Sequence, residues 1–256
     1  MIQKEYMSVT LFSVTLFGTC RINNIANHTN LNNLINYSHS TKEVIQFIRF
    51  LKGELIIPIP YNKLCFRTAL CENKYIDYND AYNKLFIDTD IFVIEICSRK
   101  KYIHNGYYMH HLPFDKLWHE MDNYKNTHII NNTPRDILEN VTIEKQSDEE
   151  IENDILEIQK MLYPKKIIIV SHYNSKLNGE YIHPRNNLIQ LLDTICKKYD
   201  IPFINPTLVL SNYSQEEVMT SDLGHFTDLG MSEFSKYVNE YLTTRKMCSK
   251  NTNNYL

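Results

Sequence analysis

Leu16-Phe17-Gly18-Thr19-Cys20-Arg21 closes an apolar run with a glycine and then presents a thiol, the pattern of a chain that leaves a strand and turns into a helix. Working back, Met7 to Phe17 is apolar and rich in β-branched residues, and it duplicates Ser-Val-Thr-Leu-Phe, which suits a core strand. With Lys4 ahead of it, the segment also has the look of a short signal peptide ending at a lipoprotein-type cysteine, and the mature chain would then begin near Cys20. Ser8, Thr10, Ser13 and Thr15 interrupt the run, and a strand accounts for it better. On that reading Cys20 stands at a helix N-terminus, where backbone N–H groups and the helix dipole are expected to lower its pKa toward the thiolate. Taken alone, a cysteine at a strand end is more often a small buried hydrophobe.

Outward from this stretch the chain alternates strand and helix. Ser40 with Glu43 is a capping box, and Val44, Phe47, Ile48 and Leu51 line one face of a helix over about 41–52. Leu55 to Pro60 is limited by its prolines to an edge strand or an extended connection. Leu85 to Ser98 reads as a strand whose second part is almost continuously apolar, as in a parallel sheet covered on both faces. Residues 99–140 read as an irregular excursion with short helices. Ser147 and Glu150 form a second capping-box pattern, before a helix carrying Ile151, Ile155, Ile158 and Leu162 that stops at Pro164. Lys165 to Val170 is a buried strand that opens into Ser171-His172. A helix over about 184–198, a short strand at Ile201–Pro206 and a final helix from about Asp228 follow, then a polar, disordered tail over 246–256. The whole of 1–245 reads as one α/β domain, a three-layer sandwich with a mainly parallel central sheet. Ligands of such sheets bind beyond the carboxyl ends of the strands, and Cys20, Ser98, Ser171 and His172 each follow a strand end.

Composition narrows the function classes. The chain has 256 residues, 43% of them hydrophobic, and a formal net charge of -3 with dispersed Lys and Arg, so it shows no footprint for nucleic acid. No apolar stretch reaches the roughly 18 residues needed to span a bilayer, and no membrane partner is expected. The six cysteines contain no C-x-x-C pair. Neither a zinc motif nor a disulfide framework is indicated, and a reducing, cytoplasmic setting fits.

Late in the chain, Asp222-x-x-His225 precedes Phe226-Thr227-Asp228-x-Gly230 and an amphipathic helix. Within one turn this spacing lets the carboxylate reach the Nδ1 side of the imidazole, fixing its tautomer and leaving Nε2 as a base toward a nucleophile. Cys20 is the nucleophile such a base would serve. Arg21 is a candidate to offer its N–H to an oxyanion and its guanidinium to an anionic group, and Ser98 and Arg99 are candidates to complete that hole. His39 and His172 are candidate substrate contacts. Each of these five also has a plainer reading as a surface, turn or capping residue. Glu95 would be costly if buried unpaired, so it must face an Arg or Lys or line the site. His104, His110 and His111 lack the i, i+4 pairing that marks zinc hydrolases and are read as non-ligands, so no metal is expected.

The two end blocks resemble those of the SGNH (GDSL-type) hydrolases and their acyltransferase relatives. There a Gly-Asp-Ser block after the first strand supplies the nucleophile, and a late Asp-x-x-His block supplies the other triad members. Gly18-Thr19-Cys20 is similar to the first, with cysteine in the serine position, and Asp222 and His225 match the last. The order of elements from the Lys165–Val170 strand through Phe203-Ile204-Asn205-Pro206 also looks like the family's C-terminal half. The two middle blocks, a Gly and a Gly-x-Asn-Asp, are not legible; Glu95-Ile96-Cys97-Ser98-Arg99-Lys100 stands where the second belongs. A cysteine in the first block is also similar to bacterial capsular-polysaccharide enzymes with a Gly-Asn-Cys block.

The resemblance implies an SGNH/flavodoxin-like sandwich and an esterase or O-acyltransferase acting on a small-molecule or glycan acyl substrate. Its triad would be Cys20, His225 and Asp222, with the N–H groups of Cys20 and Arg21 as oxyanion donors. No cofactor is implied for hydrolysis, whereas a transferase would draw on acyl-CoA or another thioester donor. The alternative is a catalytically inactive SGNH-like domain that binds carbohydrate or protein, for which the missing middle blocks and the aromatic-rich Tyr102–Trp118 segment argue.

Overall fold

Val14-Thr15-Leu16-Phe17 is buried at every position because it lies inside a sheet with helices against both faces. The computed structural model describes residues 12–28, 32–33, 37–72, 75–114 and 135–250. The expected beginning of the first strand at Met7 and the end of the expected tail, 251–256, lie outside the described residues.

From the N-terminus the elements are β1 (Val14–Phe17), α1 (Cys20–His28), β2 (Asn32–Asn33), α2 (Thr41–Leu51), α3 (Ile59–Cys65), α4 (Arg67–Glu72), α5 (Asp80–Asp88), β3 (Ile91–Ile96), β4 (Lys100–His104) and β5 (Tyr107–Met109). They continue with α6 (Arg135–Glu139), β6 (Thr142–Lys145), α7 (Asp148–Leu162), β7 (Lys166–Ser171), β8 (Lys176–Leu177), β9 (Glu180–Tyr181), α8 (His183–Lys198), β10 (Phe203–Ile204), α9 (Pro206–Val209), α10 (Gln215–Val218) and α11 (Asp228–Lys250). The central sheet has the order β10-β7-β3-β1-β2, and every neighbouring pair in it is parallel. This is the expected three-layer α/β sandwich.

The period-2 geometry of a strand sorts each apolar run between two cores. In β3, Phe92, Ile94 and Ile96 face the layer that holds Val44, Phe47, Ile48 and Leu51 of α2, the Ile151–Leu162 face of α7, and Leu188, Leu192 and Ile195 of α8. Ile91 and Val93 face the opposite layer, with Ile22 and Ile25 of α1 and Met231, Phe234, Val238 and Leu242 of α11. Glu95 shares the second parity, so its carboxylate is delivered to the α1 side. The chain leaves β1 toward β2 on one side and returns to β3 on the other. The ends of β1 and β3 therefore mark the switch point at which such sheets bind ligands.

Four segments depart from the sequence expectation. Leu85 to Asp88 closes helix α5 instead of opening a strand, because Asn79 caps that helix through Ala81 and Tyr82. Residues 55–58 form the extended connection, but Ile59 and Pro60 already belong to α3, Pro60 in its first turn where its missing N–H costs nothing. The described part of the 99–140 excursion is mainly a β-hairpin, with one 3₁₀ turn at Leu112–Phe114 and the short α6. β4 and β5 pair across Asn105-Gly106, both at positive φ (49° and 80°), and β6 completes a small antiparallel sheet. Asn-Gly is the residue pair that a two-residue hairpin turn of this kind demands. The final helix is described to Lys250, past the expected boundary at Lys246. No helix among the described residues is long and apolar enough to cross a membrane.

Gly18 joins β1 to α1 at φ +152°, and a Cβ placed there would stand 2.6 Å from Glu95 Cβ. No side chain fits between the two strand ends at this approach. Gly18→Ala is expected to cost about 2 kcal/mol or more through strain and overpacking, read as a fall of several degrees in Tm with the far-UV spectrum retained. A variant as stable as the parent would mean that this contact is not tight.

Candidate active site

Thr19, Cys20 and Arg21 are held by one buried carboxylate. Glu95, 1% exposed, accepts from Thr19 N (2.9 Å), from Thr19 Oγ1 (2.5 Å) and from Arg21 Nε (2.9 Å). Burial works against the Arg21 charge, but Glu95 outweighs it and the guanidinium pKa is raised. Arg21 Nη1 then donates to the carbonyl of Gly224, 203 residues away in sequence. The strand that carries Glu95, the turn that carries Cys20 and the late Asp-x-x-His loop are thus tied together by one ion pair.

That loop is closed at its neck by the Met219–Phe226 bridge and by Thr220 N donating to His225 O at 2.9 Å. Leu223 takes φ +56°, and Arg185 Nη1 donates to its carbonyl and to Ser175 Oγ, both at 2.8 Å. Asp222 Oδ1 accepts from Thr220 Oγ1 (2.6 Å), Gly224 N (2.7 Å) and His225 N (3.1 Å), and Oδ2 lies 2.6 Å from His225 Nδ1. Partial desolvation pushes the Asp222 pKa up, but these hydrogen bonds prevail and it lies well below the usual carboxylate range. An ionised carboxylate only accepts, so Nδ1 carries a ring proton, and the tautomer that leaves a lone pair on Nε2 is the one this contact selects. The side chains of His225 and Asp222 are 57% and 54% exposed, so the pair is oriented by backbone anchoring rather than by burial.

Cys20, Arg21, His39, Ser98, His172 and His225 line one pocket of about 510 Å³ at the switch point. Arg67, Lys100 and Arg185 line it too, a cationic wall in a chain whose net charge is -3. Arg99 lies elsewhere: its guanidinium turns to Asp148 at the start of α7. Ser98 closes the turn after β3, its N–H donating to His39 O at 3.0 Å and its Oγ accepting from Lys100 N at 3.0 Å, so its backbone offers nothing to an oxyanion. Arg21 N reaches Thr19 Oγ1 only at 3.3 Å, a bond long enough to be exchanged.

The thiol corrects one expectation. Burial pushes the Cys20 pKa up, and neither Arg21 and Arg67 nor the Arg21 N–H at the start of α1 reverses it. Cys20 is a protonated thiol at neutral pH, so its use as a nucleophile requires a base. Cys65, Cys97 and Cys196 are raised as well, Cys196 to about 12, each first by burial.

His172 is held well below its usual pKa by burial and by Arg21 and Arg185, and its Nδ1 lies 2.8 Å from the carbonyl of Tyr173. The Nδ1–H tautomer follows, with Nε2 as an acceptor. In the lining of the same pocket, His39 meets His110 and His111, with ring centroids 4.4 to 4.8 Å apart. Burial and the neighbouring His39 lower His110, and the same two causes bring His111 to about 3. Glu43, pushed up by burial but brought down further by His39 and the N–H groups of Ser40 and His39, is ionised beside them. His110, His111, Arg67 and Arg185 carry no local motif and Glu43 was read only as half of a capping box, so sequence reasoning passed over all five as site residues. The Asn105-Gly106 hairpin, which returns His110 and His111 to the pocket, was the one usable signal.

The family described as the TviD N-terminal domain matches residues 12–129 and 119–245. The chain is 24% identical over 257 aligned residues to the Vi polysaccharide biosynthesis protein TviD of Salmonella typhi, covering 86% of this chain and 30% of that one. It thus spans under a third of that relative's length. A solved crystal structure overlays 92% of this chain on 99% of its own at TM-score 0.37 and 8% identity, too loosely to bear on the argument.

Two outcomes test this geometry. Arg21→Met strands a buried carboxylate and is expected to cost about 3–5 kcal/mol in urea unfolding, whereas adding Glu95→Gln recovers more than half of that loss; equal losses in both variants contradict the pairing. Iodoacetamide alkylation of Cys20, followed by peptide mass spectrometry, should accelerate about tenfold per pH unit from pH 6 to 8. A rate already level below pH 7 would mark a preformed thiolate.

Proposed function

The chain belongs to the TviD N-terminal domain family, and from that footing we propose that it is an SGNH-like acyl-transfer enzyme acting on a glycan, with Cys20 as nucleophile, His225 as base and Asp222 orienting His225. The observation that carries this reading is the Arg21–Gly224 tether. It joins the Cys20 turn to a loop in which Asp222 sets the His225 tautomer, while Cys20 and His225 face the same pocket. The name of the Salmonella relative supplies the proposed acceptor, a polysaccharide hydroxyl.

His225 Nε2 takes the Cys20 proton as sulfur attacks the acyl carbonyl, and the N–H groups of Cys20 and Arg21 receive the oxyanion. The tetrahedral adduct expels the donor's leaving group, which takes the proton from His225, and an acyl thioester remains on Cys20. A sugar hydroxyl, or water in the esterase version, then gives its proton to His225 and attacks that thioester. Cys20 leaves as thiolate and is reprotonated. A thioester such as acyl-CoA suits the first step, because thiol and thioester exchange at little cost. The Arg67, Lys100 and Arg185 side chains would hold an anionic group of donor or acceptor.

One observation favours the binding-only alternative: a thiol raised by burial beside a wall of cations would also serve a domain that merely holds an anionic glycan. Turnover decides between them. Against acetyl-CoA and aryl acetates, Cys20→Ala should lose essentially all activity, and Asp222→Asn about 10³–10⁴-fold in kcat through the wrong tautomer. Acid-quenched wild type should carry an acyl group on the Cys20 peptide. Turnover that survives Cys20→Ala removes the mechanism, and glycan binding without turnover points to the alternative.

A further inference from the structure

We propose that His39, His110 and His111 form a binding site for a zinc-class divalent metal ion in the wall of the Cys20 pocket. Each ring offers one ligand nitrogen, and the three nitrogens lie within 4.8 Å of one another. Zinc takes imidazole nitrogen at about 2.0–2.1 Å. Drawing the three onto one ion therefore asks for a shift of about 1 Å per ring, within the reach of side-chain rotation.

The second observation is independent of the clustering. His39 Nδ1 and His110 Nε2 are buried with no hydrogen-bond partner, in a pocket whose other ring nitrogens His172 Nδ1 and His225 Nδ1 are both engaged. A buried polar atom left unsatisfied costs about 1–3 kcal/mol, which ligation would relieve at His110 Nε2. For His110 the exchange is favourable. Its Nδ1 receives Leu112 N only at 3.3 Å, and giving up that long bond lets Nδ1 hold the ring proton while Nε2 binds metal. For His39 the outer partner is present. Glu43 Oε1 lies 3.8 Å from Nδ1, and Glu43 Oε2 is fixed by the N–H groups of His39 (2.9 Å) and Ser40 (2.8 Å). A carboxylate behind a histidine decides which nitrogen keeps its proton, leaving Nε2 for the ion.

The donor set selects the metal. Three imidazoles, with the nearby carboxylate in an outer role, suit zinc and its borderline neighbours and not calcium or magnesium. Three protein ligands also leave one coordination position open, as in catalytic zinc sites and unlike closed structural ones. All three histidines line the pocket, so that position would face its contents. The ligands come from the residue before the α2 cap and from the end of β5, so the ion would pin the hairpin to α2. None of this depends on the acyl-transfer reading.

The test uses tag-free full-length protein stripped with chelator, exposed to zinc chloride, dialysed and assayed for metal content. About one equivalent should remain, with Tm raised by several degrees over the stripped protein. His39→Ala and His111→Ala should each abolish retention with the circular dichroism spectrum unchanged, and these half-buried positions avoid the folding risk of the buried His110. Cys20→Ala should retain its metal, which separates the outcome from the fate of the triad. Cobalt(II) in place of zinc should give the visible bands of a four-coordinate site, shifted by added azide at the open position. No retention at about ten micromolar zinc, retention that survives both histidine variants, or loss on Cys20→Ala alone would each overturn the site. A cobalt spectrum insensitive to azide would overturn the open position.

Discussion

A buried arginine and a buried glutamate hold this molecule's working end together. Glu95 lies on a strand whose other side chains are apolar, at a parity that aims it between the sheet and α1. Ionised there without partners, it would cost several kcal/mol. Arg21 Nε and both donors of Thr19 supply those partners, so the carboxylate, the Cys20 turn and the first turn of α1 have one arrangement that satisfies all of them. The close approach of the strand ends admits only glycine at position 18. Replacing such a pair by apolar residues often leaves stability unchanged, so its value here lies in placement. Its second donor fixes where the Asp222–His225 loop must lie.

The loop itself is largely solvent-exposed, which makes its anchoring the decisive matter. Arg21 grips it at Gly224 and Arg185 at Leu223, while Asp222 spends one oxygen on the loop's own N–H groups and the other on His225. The thiol across the pocket is the opposite case, half-buried and protonated. In the proposed reaction a half-buried thiol would be the nucleophile and an exposed, oriented imidazole its base, with proton removal coupled to attack. The cationic side chains around them set the field in which an anionic group would be held.

Much of the fold was legible because its signals are local. The runs Ile91–Ile96 and Lys166–Ser171 are almost wholly apolar on both faces, as a covered parallel strand requires, and α2, α7, α8 and α11 repeat apolar residues at helical spacing, the first two behind serine caps. The misreadings came from short elements, where tertiary context or turn chemistry outweighs pattern. Leu85-Phe86 ends a helix because Asn79 six residues earlier starts one. Pro60 begins a helix as readily as it limits a strand. The 99–140 segment looked irregular until Asn105-Gly106 is seen to close a hairpin.

By itself the sequence determined the layers of this protein and the chemical identity of its two end blocks, since strand and helix periods and the Asp-x-x-His spacing are read over a few neighbouring residues. The tertiary structure alone decided which distant groups share the switch point with them. Arg185, Arg67 and the His39–His110–His111 cluster meet there from separate elements, and Arg99, one residue from the pocket, turns away to Asp148. It also decided the state of the Cys20 thiol, because burial at the end of β1 is a property of everything packed around it and outweighs what a helix N-terminus promises. Local spacing reports direction along the chain, whereas desolvation and charge at a pocket sum over groups that the chain brings from far apart.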